Sequence, residues 1–135
     1  MAKVNDYELR DGLYYCEDHL WVKVENGLAR IGVTDYAQKS LREVVFAELP
    51  DVGFEVKHKE SFGTLESVKA VSDLISPISG TIKEVNTNVA DNPEILNNDP
   101  YGEGWLIVVE PTDLENELKK NMDFNAAKEW LANLT

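Results

Sequence analysis

Short runs in which apolar and polar residues alternate dominate the chain as far as Pro111, where a helical period takes over. Residues 20–25 and 28–33 are two such runs around Asn26-Gly27, a pair that accepts the positive φ angles of a two-residue hairpin loop. Thr34 is placed to cap a short helix over 35–40: its hydroxyl can satisfy a first-turn amide, and Asp35 suits the positive end of the dipole. A strand over 44–49 then stops at Pro50-Asp51-Val52-Gly53, where proline presets one dihedral and glycine supplies a positive one. Two further alternating runs flank Val68-Lys69, which the pattern makes the tip of a tight hairpin. A second Pro-x-x-Gly turn, Pro77-Ile78-Ser79-Gly80, opens into a strand over 81–86. The stretch 87–104, with Asn92-Pro93 and Asp99-Pro100, is too rich in turn formers for a strand or helix and reads as a long surface loop or cover. The continuous apolar run 105–110 predicts a buried strand ended by Pro111. Thr112-Asp113-Leu114-Glu115 then reads as a capping box, with Leu114 and Leu118 on one helical face. A second helix is predicted over 125–134, packing Ala127, Trp130, Leu131 and Leu134 against the sheets.

Composition narrows the class. At 135 residues, 43% hydrophobic and 28% charged, the chain suits one soluble domain with a real core, and no apolar stretch approaches the roughly 20 residues of a membrane span. Residues 1–8 have neither an apolar signal core nor the Arg-rich character of a transit peptide, so the expected location is cytoplasmic. Cys16, the only cysteine, has no partner for an internal disulfide. With 25 acidic against 13 basic side chains the net charge is −12, which repels phosphate backbones and anionic lipid. Neither nucleic acid nor a membrane is an expected partner.

The catalytic signatures are missing. His19 and His58 are the only histidines, and Cys16 with His19 falls short of a four-ligand zinc framework. The chain has no phosphate-cradling Gly-Lys-Ser/Thr loop, no Gly-x-Ser-x-Gly elbow and no dinucleotide fingerprint. The residue that stands out is Lys69. A charge between two strands at a hairpin tip must face out, and its four-carbon stem carries an amine that is nucleophilic once deprotonated.

Around Lys69, and over nearly the whole chain, the sequence resembles the glycine cleavage system H protein family. The blocks that carry the resemblance are His19-Leu20-Trp21-Val22, Ile31-Gly32-Val33-Thr34-Asp35-Tyr36-Ala37-Gln38, Val44-Val45-Phe46-Ala47-Glu48-Leu49-Pro50, Glu66-Ser67-Val68-Lys69-Ala70, Ser76-Pro77-Ile78-Ser79-Gly80, Val85-Asn86, Asp91-Asn92-Pro93, and Asp99-Pro100-Tyr101-Gly102-Glu103-Gly104-Trp105-Leu106. The resemblance implies a mainly β fold, a lipoyl/biotinyl-carrier-like flattened β-barrel (two-sheet sandwich) with a short helix near 34–41 and C-terminal helices. Residues 1–135 are then a single lipoyl-carrier domain, with its core at about 13–110 and a helical appendage at about 112–134.

By the same resemblance Lys69 carries lipoate in amide linkage, while Gly53, Glu66 and Gly80 match positions associated with recognition by the lipoylating enzyme. Biotin carriers typically flank their lysine with methionines, whereas here the neighbours are Val68 and Ala70. The implied role is a carrier, not an enzyme. It takes an aminomethyl group from a pyridoxal-phosphate glycine decarboxylase (P protein) to a tetrahydrofolate-dependent aminomethyltransferase (T protein), and dihydrolipoamide dehydrogenase (L protein) then reoxidises it. A lipoate ligase or lipoyl synthesis enzymes would attach the arm. Two departures matter. Family members commonly read His-Glu-Trp where this chain has His19-Leu20-Trp21, so the charge of the arm pocket falls to Asp73, which matches another pocket position, and to Asp18. That lost glutamate is the support for an alternative, an H-like relay that donates lipoate to other proteins or serves another dithiol pathway. Leu41-Arg42-Glu43 replaces the usual Leu-Gly followed by an acid, at a turn where glycine would serve backbone geometry.

Overall fold

The computed structural model describes residues 2–135; Met1, the first residue of the expected domain, lies outside the described residues. Strands β1 (Ala2–Val4), β2 (Tyr7–Leu9), β3 (Tyr14–Tyr15), β4 (Leu20–Glu25) and β5 (Leu28–Val33) precede helix α1 (Asp35–Leu41). Then come β6 (Val44–Glu48), β7 (Glu55–Val56), β8 (Ser61–Ser67), β9 (Val71–Ile75) and β10 (Gly80–Val85). Helices α2 (Thr87–Asp91) and α3 (Glu94–Asn98), strand β11 (Ile107–Pro111), and helices α4 (Leu114–Lys119) and α5 (Phe124–Leu134) complete the chain. A six-stranded sheet, ordered β3-β4-β5-β11-β10-β7, packs against a three-stranded sheet, β6-β8-β9, and all pairings are antiparallel. This is the mainly β, two-sheet sandwich that the sequence implied.

The core between the sheets takes Val22, Ala29, Ile31 and Val33 from β4 and β5, Ile82 from β10, and Ile107 and Val109 from β11. The small sheet contributes Val44, Ala47, Phe62, Leu65 and Leu74. Burying a Val, Ile, Leu or Phe side chain contributes roughly 1.5–3 kcal/mol. The β4–β5 hairpin forms as its pattern predicts, with Asn26 (φ 51°) and Gly27 (φ 78°) both in the positive region. Thr34 caps α1 by accepting the Ala37 amide at 3.2 Å.

Four expectations are corrected. The stretch 87–104 is not a plain loop. It holds α2 and α3, because Asn86 accepts the Asn88 amide at 3.2 Å to start the first, and because Val89 and Leu96 are buried. The capping box at 112–115 does not form: the Thr112 amide donates to the Ser79 carbonyl, so α4 starts one residue later at Asp113, whose side chain caps no helix amide and accepts instead from the Asn116 side chain at 3.0 Å. Instead Glu117 of α4 is buried and accepts the Ser79 amide and hydroxyl, each at 2.6 Å. The strand expected over 105–110 runs from Ile107 to Pro111, with the Trp105 ring 4.8 Å from the Arg30 guanidinium carbon. Leu134 is exposed, while Ala127 and Leu131 carry the buried face of α5.

The β1–β2 hairpin lies outside the expected core of 13–110. Its turn, Asn5 (φ 48°) and Asp6 (φ 74°), is another positive pair. Together with α5 it encloses a second apolar cluster of Leu9, Leu13, Tyr15, Trp21, Ala127 and Leu131. Asp35 ties this layer to α1. Burial pushes its carboxyl up, but hydrogen bonds from the Glu8 amide, Gln38 and Lys39 outweigh that and hold it below the usual carboxylate range. Among the described residues no helix is long and apolar enough to cross a membrane.

Two predictions follow from backbone and burial. Arg42 ends α1 with φ 66° and ψ −140°, a conformation that costs a residue with a Cβ about 1–3 kcal/mol and costs glycine far less. Arg42→Gly is therefore expected to raise the thermal midpoint; an unchanged or lower midpoint contradicts the strain. The His19 ring lies between Tyr36 and Trp130, with centroids 4.6 and 5.3 Å away, and its Nδ1 is buried without a partner. Burial pushes its pKa down, with Asp18 partly opposing. Below an unfolded-state value of about 6.5, the unfolded chain binds a proton that the folded chain refuses, so stability falls as pH drops through that point. Urea midpoints at pH 8 and 5.5 should differ more for the native chain than for His19→Asn; equal differences would remove His19 from the account.

Candidate functional site

Lys69 sits in the loop of the β8–β9 hairpin, whose strands pair through Glu66–Val71, Leu65–Ser72 and Thr64–Asp73. Strand alternation ends at Ser67. The buried Ser67 side chain then organises the turn: its Oγ accepts the amides of Ala70 (3.1 Å) and Lys69 (3.4 Å), and its own amide donates to the Ala70 carbonyl at 2.8 Å. Serine favours such turns because its hydroxyl substitutes for backbone partners. Ser67 thus shapes the turn that carries Lys69, and serine just before a two-residue loop is the signal for it in the sequence. Val68 is 80% exposed, Lys69 is exposed, and among the described residues its ammonium has no ion pair or hydrogen bond. A free amine therefore stands on a turn whose backbone is tied down.

The other candidate residues are not gathered round Lys69. Glu66 lies one pair below the tip, on the outer face of the small sheet, level with Phe46 and Val71. Asp73 is on the same face one row further down, level with Glu48 and Thr64. Asp18 is in the β3–β4 turn, 3.8 Å from the Nζ of Lys59, and Lys59 precedes β8 at the end of the hairpin away from Lys69. Roughly 20 Å of strand separates the two ends. Asp18 and Asp73 are thus strung along the hairpin from the tip to its base. Leu20, at the position of the missing glutamate, is buried in the core and paired with Val33.

Gly80 belongs to the other sheet and Gly53 to the turn that leads into its edge strand β7, and each has a backbone reason to be glycine. Gly53 has φ 95° and donates its amide to the Ile82 carbonyl at 2.9 Å. A Cβ on Gly80 would collide with the Glu110 carbonyl and the Val109 side chain across the β10–β11 pair. Among the described residues no group of three or more His, Cys, Asp or Glu side chains is placed to hold a metal ion.

A two-sheet β sandwich that presents a free lysine on a hairpin tip has the architecture of a carrier for a swinging arm. The family model described as "Glycine cleavage H-protein" matches residues 13–133. A probable glycine cleavage system H protein of Pyrococcus abyssi is 46% identical over 135 residues, covering 99% of this chain and 100% of that protein. The glycine cleavage system H protein of Bacillus velezensis is 55% identical over 101 residues, covering 75% of this chain and 80% of that one. The crystal structure of a glycine cleavage system H protein from Mycobacterium marinum superposes with a TM-score of 0.75 at 39% identity, covering 83% of this chain and 98% of that chain. The chain belongs to the glycine cleavage H-protein family.

Removing the Ser67 hydroxyl leaves two turn amides to water. In Ser67→Ala, amide exchange at Ala70 should quicken by roughly fivefold, the equivalent of about 1 kcal/mol, while exchange in β4 and β5 stays unchanged. Unaltered exchange at Ala70 would show that the turn holds without it.

Proposed function

We propose that the chain is the lipoylated carrier of the glycine cleavage system, with lipoate in amide linkage on Lys69. The observation that carries this reading is an unpartnered amine at the tip of an anchored hairpin, in a chain of this family. The site suits an acyl group: the turn amides are satisfied by Ser67, Val68 and Ala70 are exposed, and the amine is open to solvent. When bound, lipoate supplies the disulfide chemistry that accepts, carries and releases an aminomethyl group.

The chain's own residues do the rest. Ser67 fixes the direction in which the Lys69 stem leaves the turn, so the amine meets a lipoylating enzyme with little left to order. Glu66, Gly53 and Gly80 are the proposed marks for that enzyme. Asp73 and Asp18 are carboxylates suited to a cationic amine carried back along the hairpin, and Asp18 shares its charge with Lys59. The partners under this reading are glycine decarboxylase, the aminomethyltransferase, dihydrolipoamide dehydrogenase, and a lipoate ligase or lipoyl synthesis enzymes. The chain acts as their common substrate, as a single lipoyl-carrier domain. The relay alternative rested on Leu20, and a leucine buried among core residues has a packing reason to be there.

Incubation with lipoate, ATP and a lipoate ligase, followed by intact mass and peptide mapping, tests the proposal. One lipoyl increment on Lys69 is expected, none on a folded Lys69→Ala chain, and glycine-dependent loading by glycine decarboxylase only for the modified protein. A folded native chain that takes no lipoyl group overturns the reading.

A further inference from the structure

Exposed apolar side chains are unevenly shared between the two flanks of the β8–β9 hairpin. On the β6 flank the bulged Val45 and its neighbour Phe46 are 49% and 48% exposed, and Val52 is 63% exposed. On the β9 flank the exposed Val71 is followed on the same face by Asp73. Phe46 is level with Glu66, next to the Val44–Ser67 pair at the foot of the Lys69 turn. Beyond Phe46, between the end of β6 and α2, runs an open groove of about 440 Å³ whose lining includes Leu49, Val52, Val85 and Ala90. Glu48 and Asp51 also line it, and none of its lining residues is Lys, Arg or His.

A group tethered at Lys69 can reach this groove. Phe46 is one strand across and about two residue pairs down from the Lys69 turn, roughly 10 Å at ordinary strand spacings. A lysine stem, its amide and the lipoyl chain run about eleven bonds from Cα to the ring, roughly 14 Å when extended. The end of that arm is uncharged and apolar, and a half-exposed phenylalanine beside an apolar groove is costly to leave in water. A volume of this size falls within the roughly 300–1,000 Å³ of small-ligand clefts. Charge selects the form of the arm: Glu48 and Asp51 repel a thiolate, so the closed disulfide ring is the form that suits.

We propose that the groove between β6 and α2 is the resting site of the oxidised arm, with its disulfide ring lying against Phe46 and Leu49. This rests on the carrier reading and adds to it where the arm lies between encounters. The tether keeps the ring at high effective concentration beside the groove. Immobilising a flexible arm offsets much of the gain from burial, so the ring is held weakly and an enzyme can draw it out. While it rests there, the disulfide is shielded from stray thiolates, whose attack needs access to a sulfur.

The test uses chains lipoylated on Lys69 with ¹³C in the ring methylenes, verified by mass and by thermal melts. Nuclear Overhauser contacts from the ring protons to the methyls of Leu49, Val85 and Ala90 are expected in the oxidised native chain. Excess dithiothreitol then opens the ring S–S bond: the arm gains two electrons and two protons, and dithiothreitol closes its own disulfide. Phe46→Ser is expected to remove the contacts and to speed this reduction roughly threefold. Val71→Ser, a loss of apolar surface on the β9 flank, should alter neither. In a mixture with unmodified, methyl-labelled Lys69→Ala chain, no contact to the labelled methyls is expected; contacts there come from the arm of another copy and overturn the proposal. A folded, lipoylated chain without the contacts, or one in which Phe46→Ser and Val71→Ser act alike, overturns the resting site and leaves the carrier reading standing. Failure to find a lipoyl group on Lys69 removes the carrier reading, and the resting site with it.

Discussion

The burial of one face of the β8–β9 hairpin is what the rest of the structure depends on. An isolated two-stranded hairpin is marginal in water, yet Lys69 stands at the end of one. Phe62, Leu65 and Leu74 resolve the conflict by packing into the shared core. A register shift between Ser61 and Gly63 lets Phe62 join Leu65 on the inner side, where strict alternation would have turned it out. The stiffness of the tip is therefore borrowed from the six-stranded sheet behind it, and Ser67 transmits it across the last turn.

The same alternation that buries one face leaves the other free. Glu66 and Asp73 are exposed because Leu65 and Leu74 are not, and a strand cannot change one assignment without the other. Leu20 shows this constraint from the opposite side. It sits on β4 with its side chain in the core, so an apolar residue there leaves no buried charge to be compensated. The carboxylates of Asp73 and Asp18 are exposed instead.

The helices at the C-terminus pack against the rest of the fold. Helix α5 closes a second apolar cluster with the β1–β2 hairpin, and α4 is joined to the Pro77–Gly80 turn through Glu117 and Ser79. The two chain ends thus brace the sheet that supports the carrier hairpin. His19, held in a left-handed backbone conformation between Tyr36 and Trp130, is where that bracing meets the start of β4.

Much of this was legible in the residues because it is local. Asn26-Gly27, the Pro50–Gly53 turn, the Thr34 cap and the exposed Lys69 follow from dihedral preferences and period-two alternation, which a few neighbours decide. The family, and with it the sandwich, could be read from the order and spacing of the motif blocks. What escaped depends on contacts distant in sequence. Helices α2 and α3 exist because Val89 and Leu96 find the core, and α4 starts at Asp113 because the Thr112 amide is taken by Ser79. The Asn5-Asp6 turn carries little weight until α5 covers its strands. The separation of Asp18 from Asp73, and the ranking of Phe46, Glu66 and Val71 in one row, were fixed only by strand register. The sequence by itself determined the lysine, its turn and the family. Tertiary structure decided which carboxylates share a face with that lysine, because register and burial arise between strands and not within them.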